Sequence, residues 1–184
     1  MIKQVKLSTY NNSSFKKGAS IFKRVLWHLA NFFIVKSHII PLSFTKVAIL
    51  RLFGAKIGSN VTIKPGVNIK YPWKLTVGNN CWIGENVWID NLDKVTLADN
   101  VCISQGAFLL CGNHNFKSSS FDLMIGPITI ESGVWLGAKS IVCPGVTVAT
   151  HAILSLGSLA NKDLEPYTIY KGNPAVKSKE RIIK

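Results

Sequence analysis

An aliphatic residue returns every six positions between Ile57 and Leu159, with a small residue or valine four places after it. The phrase runs Ile57-Gly58-x-x-Val61, Ile63-x-x-x-Val67, Ile69, then restarts as Val77-Gly78-x-x-Cys81, Ile83-Gly84-x-x-Val87, Ile89. It continues through Leu97, Ile103 and Leu109, and after an interruption through Ile130, Leu136, Val142, Val148 and Leu154. This is the signature of a hexapeptide parallel β-helix. Three hexapeptides make one triangular coil, whose aliphatic residues point inward and stack on those of the next.

The register says where the wall is broken. Ile57 to Val77 is 20 residues and Val77 to Leu97 is 20 again, but Leu97 to Ile130 is 33. The surplus of 13 residues has no place in the wall and must leave it as an outward loop, over about 111–127. Long loops on a repeat scaffold often carry binding or catalysis. This one contains Gly112-Asn113-His114-Asn115-Phe116.

The flanks divide the chain into three parts. Residues 1–54 form an N-terminal segment, 55–162 the β-helix, and 163–184 a C-terminal extension. Residues 1–19 are polar and read as a loose arm. From Ser20, a suitable cap, Ile21, Phe22, Val25, Leu26, Leu29, Phe32 and Phe33 recur at helical spacing as far as Pro41. A second helix is expected from about Phe44 to Phe53, ended by Gly54. These helices should cap the first coil, which otherwise exposes a raw apolar end. A basic amphipathic helix could also rest on an anionic membrane surface, and the two roles are compatible. No apolar run approaches the ~20 residues of a spanning helix. The basic tail from Lys177 to Lys184 has helical promise.

Charge is unevenly spread. Residues 1–84 hold 13 Lys or Arg and no Asp or Glu, whereas residues 85–184 hold nine of each, so the net charge of +13 lies wholly in the first half. Nucleic acid, an anionic membrane or an anionic substrate could each explain it. No nucleic-acid motif or aromatic-basic platform accompanies the charge. Cys81, Cys102, Cys111 and Cys143 form no CxxC, and with no signal peptide ahead of them they read as reduced thiols of a cytoplasmic protein. Cys81 takes a small inward slot. One loop histidine with no second ligand in view makes a poor zinc site. Trp73, Trp82, Trp88 and Trp135 stand beside inward positions, where a large ring commonly faces a neighbouring subunit or ligand.

The array, the His114 loop, the run Trp135-Leu136-Gly137-Ala138-Lys139-Ser140-Ile141-Val142-Cys143-Pro144-Gly145-Val146 and the ending Tyr170-Lys171-Gly172-Asn173-Pro174-Ala175 resemble the left-handed β-helix acetyltransferases. The branch it resembles is that of the colanic-acid and exopolysaccharide O-acetyltransferases, relatives of the galactoside, maltose and nodulation-factor enzymes. The resemblance spans about residues 18 to 180, including Leu50-Arg51-Leu52-Phe53-Gly54-Ala55-Lys56-Ile57-Gly58. It implies an all-β solenoid, a left-handed parallel β-helix with an N-terminal helical cap, assembled as a homotrimer with active sites between subunits. The left hand comes from the resemblance alone, since parallel crossovers are right-handed in about 98% of cases.

The activity so implied is acetyl transfer from acetyl-CoA to a saccharide hydroxyl. That reaction needs a base for the hydroxyl proton and a donor for the oxyanion. His114 is the expected base, with direct transfer and no acyl-enzyme. His28, His38 and His151 sit in contexts that are more often structural. Asn86, 28 residues before His114, falls where the galactoside enzymes place a substrate-contacting asparagine, though a corner role stays open. Asp90 and Asn91 are exposed alternatives for gripping sugar hydroxyls, and Asn113 flanks the base. The family lays pantetheine along the wall, which implies Trp135, Gly137, Ala138, Ser140, Leu156 and Gly157. Lys162, Lys171 and Lys179, with Lys177, are the cations available to nucleotide phosphates. Val176 stands where the family has an arginine and Lys179 replaces another. An N-acetyltransferase of an amino sugar or antibiotic is an alternative on the same fold, and so is a non-catalytic assembly protein.

Overall fold

The computed structural model describes residues 4–184; Met1 to Lys3 of the N-terminal arm lie outside the described residues. The repeat forms a solenoid of parallel strands arranged as three faces of a prism. Its inward residues stack in three ladders whose registers match the hexapeptides. Ile57, Val77, Leu97, Ile130 and Val148 line the first face. Ile63, Ile83, Ile103, Leu136 and Leu154 line the second, and Ile69, Ile89, Leu109, Val142 and Ala160 the third. Apart from the end residue Ile57, all are buried. Each large side chain so buried contributes about 1.5–3 kcal/mol, and backbone N–H groups pair from coil to coil. Corners are turned by residues with positive φ, including Asn60, Asn80, Asn86 and Asn100 at +54° to +60°, a conformation asparagine tolerates.

The outward residues differ by face. The first presents Lys56, Thr76, Thr96, Thr129 and Thr147, a threonine ladder suited to solvent. The second presents Thr62, Trp82, Cys102, Trp135 and Ile153. The third presents Asn68, Trp88, Phe108, Ile141 and Leu159. Two of the three walls are therefore apolar and aromatic on the outside.

The helical cap is present, but the apolar stripe of its first helix is not what seals the coil. Helix α1 (Ile21–Ala30) is capped by Ser20, whose hydroxyl accepts from the Lys23 N–H. It runs into a π-helical turn at Asn31–Val35. Helix α2 (Ser43–Leu52) ends in paired bonds from Gly54 N to Arg51 O and from Ala55 N to Leu50 O. Gly54 has φ +102°, which makes this a Schellman ending. At about 100° per residue, Ile21, Phe22, Val25, Leu26 and Leu29 share one arc of α1 and Trp27 lies opposite. Trp27 is the plug: it is buried, and its indole N–H donates to Ile69 O at 3.0 Å. Val35, Leu50 and Lys46 complete the seal, the Lys46 ammonium donating to Lys64 O. Burial lowers the Lys46 pKa. The apolar stripe instead faces outward, with Ile21 71% and Phe22 70% exposed. Helical periodicity locates a stripe but does not say which side the tertiary structure will cover.

Two further expectations are corrected. The arm is not loose: Lys6 N donates to Ser119 O, and the Trp73 indole donates to Lys17 O. Trp73 thus packs on this chain's own arm. The tail is a strand, not a helix. Val176–Glu180 folds back antiparallel on Thr168–Lys171, which itself adds to the second face beside Ile153–Leu154. The edge offered by that last coil supplies backbone partners that outweigh the helical preference of a lysine-rich tail.

Candidate functional site

The two spare residues of each 20-residue coil and the long insertion share one corner, after the third face. A 3-10 turn at Pro72–Lys74 fills it in the first coil. In the third coil the chain leaves as an antiparallel hairpin, Gly112–His114 paired with Leu123–Ile125. His114 N bonds the Asn113 side-chain oxygen at 2.8 Å. The His114 ring lies flat on Phe121, with centroids 4.5 Å apart and planes 6° apart, and Tyr10 of the arm tilts against it at 5.7 Å.

The decisive contact is between His114 Nδ1 and Phe121 O at 2.8 Å. A carbonyl oxygen only accepts, so Nδ1 carries the proton and Nε2 of the neutral ring is left as an acceptor. Phe121 holds φ +52°, a conformation rare for a bulky residue, and this turns its carbonyl toward the histidine. Asp122 accepts from Ser118 and Ser120 at 2.8 and 2.7 Å; those bonds hold its carboxyl below the usual range and tie the loop together.

The proposed acceptor residues separate into two kinds. Asn113 is exposed beside His114. Asn91 is fully buried: its amide donates to Tyr71 O at 2.7 Å and accepts from Tyr71 N at 2.9 Å. Asp90, 7% exposed, pairs with Lys70 at 2.7 Å. Neither is an exposed group for sugar hydroxyls, because the 20-residue coil leaves a polar corner that must satisfy its own backbone. Asn86 is exposed, at φ +57°, and serves as a corner residue.

The residues assigned to the coenzyme fall at a different corner, between the second and third faces. Trp135 and Leu156 are 45% and 78% exposed. A Cβ on Gly137 would lie 2.5 Å from Leu156 N, so glycine keeps that corner flat, with Ala138 beside it and Gly157 one coil on at φ +65°. Ser140 is only 1% exposed and fills the small inward slot that its place in the repeat gives it. Lys162, Lys171 and Lys179 are exposed, while Lys177 pairs with Glu165 at 2.9 Å. Burial pushes the Cys111 thiol up to about 11, which makes it a packing group rather than a nucleophile.

Arg181 escaped the sequence reading. Its guanidinium donates to Gly133 O and His151 O, fastening the tail over a corner where His151 stacks on Tyr167. Tyr10 and Phe121 escaped it too, and no local pattern marks either.

With this geometry in view, similarity to known proteins becomes informative. WcaF of Escherichia coli (strain K12), which carries the name of a colanic acid biosynthesis acetyltransferase, is 41% identical over 134 residues, covering 73% of this chain and 74% of its own length. The chain belongs to the hexapeptide-repeat acetyltransferases. Galactoside O-acetyltransferase of the same organism is 30% identical over 123 residues, or 65% of this chain and 61% of that one. No family model matches. Among solved structures, the hexapeptide-repeat acetyltransferase VCA0836 of Vibrio cholerae superposes with TM-score 0.79 at 20% identity, over 89% of this chain and 94% of its own. A galactoside acetyltransferase in complex with coenzyme A gives TM-score 0.76 at 26% identity, over 86% and 80%. The acetyltransferase thus has the parallel β-helix that its repeat implied, with the left hand that its resemblance implied.

Proposed function

We propose that this acetyltransferase moves the acetyl group of acetyl-CoA to a saccharide hydroxyl in the synthesis of a surface polysaccharide. The observation that carries the reading is the hydrogen bond from His114 Nδ1 to Phe121 O, which fixes the tautomer a general base requires. His114 Nε2 takes the hydroxyl proton as that oxygen attacks the thioester carbonyl. The tetrahedral intermediate collapses with loss of the C–S bond, and the coenzyme thiolate leaves and takes up the proton. No acyl-enzyme forms. Asn113, whose oxygen is engaged by His114 N, keeps its amide N–H groups for the acceptor, and Asn86, a face away at the coenzyme corner, would contact the acceptor from a neighbouring subunit.

Acetyl-CoA fits the wall formed by Trp135, Gly137, Ala138, Leu156 and Gly157, with Lys162, Lys171 and Lys179 toward its phosphates. One face separates this wall from His114, at most about 20 Å for six residues. A trimer would resolve the separation. If the clefts of that trimer join these two corners, His114 of one chain meets the coenzyme wall of its neighbour. The outward stripe of α1 and the acid-free first half suit a position on the anionic inner surface of a membrane.

Replacing His114 with alanine tests the reading. Turnover should fall by on the order of 10²–10⁴-fold, while coenzyme binding by calorimetry and the melting temperature stay unchanged. Near-normal turnover would remove His114 from the mechanism.

A further inference from the structure

Between α1 and the third face lies a cavity of about 340 Å³ on the first two coils. Its wall is aromatic. Trp88 is 44% exposed and stacks on Phe108 at 4.6 Å and 15°, and Tyr71 stacks on Trp73 at 5.2 Å. Its rim is cationic, with Arg24 and Lys36 from the helical segment and Lys70 from the wall. Among the described residues Asp90 is the sole acid lining it and is already paired with Lys70, so Arg24 and Lys36 are left in excess. The Arg24 Nε is buried without a hydrogen-bond partner among the described residues. A buried donor of a permanently charged group calls for an acceptor.

The cavity sits on the corner that bears His114. Asp90 is the in-register partner of Leu110, four residues before the histidine, and Cys111 N donates to Asp90 O. One strand spacing and four extended residues bound the separation at roughly 18 Å. That reach suits an oligosaccharide or a glycosyl phosphate better than a single neutral ring.

We infer that this cavity is an acceptor subsite for an anionic saccharide, one bearing a carboxylate or a phosphate. A sugar ring lies on the Trp88 indole, the anion is gripped by Arg24 and Lys36, and the reacting hydroxyl extends along the corner to His114. Guanidinium matches both oxyanions in bidentate geometry, and an indole face stacks on rings regardless of their hydroxyl pattern. The inference rests on the saccharide acceptor proposed above, and it assigns that acceptor a charge.

The test is binding, read by calorimetry on the full-length protein with three probes: glucuronic acid, glucose 1-phosphate and glucose. The wild type should prefer one of the two anions to glucose, and the preferred anion identifies carboxylate or phosphate. Arg24→Gln and the exposed-site variant Lys36→Gln should each weaken that anion by about tenfold or more and leave glucose unchanged. Melting temperatures equal to wild type would exclude misfolding, and Lys36→Gln serves if Arg24→Gln fails to fold. Equal binding of all three probes, or anion affinity within about twofold of wild type in Lys36→Gln, would overturn the subsite. Acetyl-CoA consumption with a neutral sugar in the same variants separates the two readings. Retained turnover with lost anion binding supports the subsite, whereas a fully active His114→Ala enzyme would count against the mechanism and leave the binding result standing.

Discussion

Asn91 shows how a residue type can mislead when its neighbours across the fold are unknown. An asparagine at a corner, six residues before the hexapeptide start at Leu97, reads as an exposed amide for sugar hydroxyls. In the prism it is fully buried and closes two bonds with the Tyr71 backbone. Asn91→Ala should therefore act on stability. Leaving a buried N–H and C=O unpaired costs about 1–3 kcal/mol each, seen as a lower denaturation midpoint, with the acceptor KM unchanged. A raised KM at unchanged stability would return Asn91 to the acceptor site. His114 makes the opposite case. Its place as the histidine in the only large break of the repeat is legible in the sequence, but its tautomer is not. The Phe121 carbonyl that sets it is seven residues away, across a hairpin whose pairing no local pattern specifies.

Among the elements, α1 is the one whose sequence and structure disagree most usefully. A helix on a protein surface ordinarily turns its apolar stripe inward. Here the inward side is held by Trp27, because the first coil offers a shallow end that one indole and the π-helical turn can seal. Ile21, Phe22, Val25, Leu26 and Leu29 are left outside, flanked by Lys23, Arg24 and His28. Protein mixed with vesicles of phosphatidylcholine and phosphatidylglycerol should sediment with them at low salt and release as salt rises, each lysine or arginine near the surface contributing about 1 kcal/mol. Phe22→Ser combined with Leu29→Ser should abolish sedimentation. No sedimentation of the wild type would remove the membrane contact, and a change of oligomeric state in the double variant would make this face a subunit contact instead. No helix among the described residues is long and apolar enough to cross a membrane.

At the scale of the whole molecule, the three faces of the prism are chemically unequal, and this makes the assembly testable. Threonine covers one outer wall, whereas tryptophan, phenylalanine, isoleucine and leucine cover the other two. Apolar walls of this kind are rarely left to water. Light scattering should give three times the mass of one chain. If each cleft combines His114 of one subunit with the coenzyme wall of the next, His114→Ala and Leu156→Asp chains, each inactive alone, should recover activity when co-expressed. No recovery would assign both parts of the site to one chain.

The solenoid, its coil length and the place of its one long break were settled by the sequence itself. A six-residue period allows each aliphatic side chain a single inward position, so register follows from counting, and Ile57, Val77, Leu97 and Ile130 align on the period alone. What surrounds the break was decided only by tertiary structure. The docking of the arm beside His114, the outward turn of α1, the strand made by the tail and the burial of Asn91 all depend on contacts between residues far apart in the chain. Such contacts are set by which surface remains uncovered once the prism has formed, and no period in the sequence encodes that.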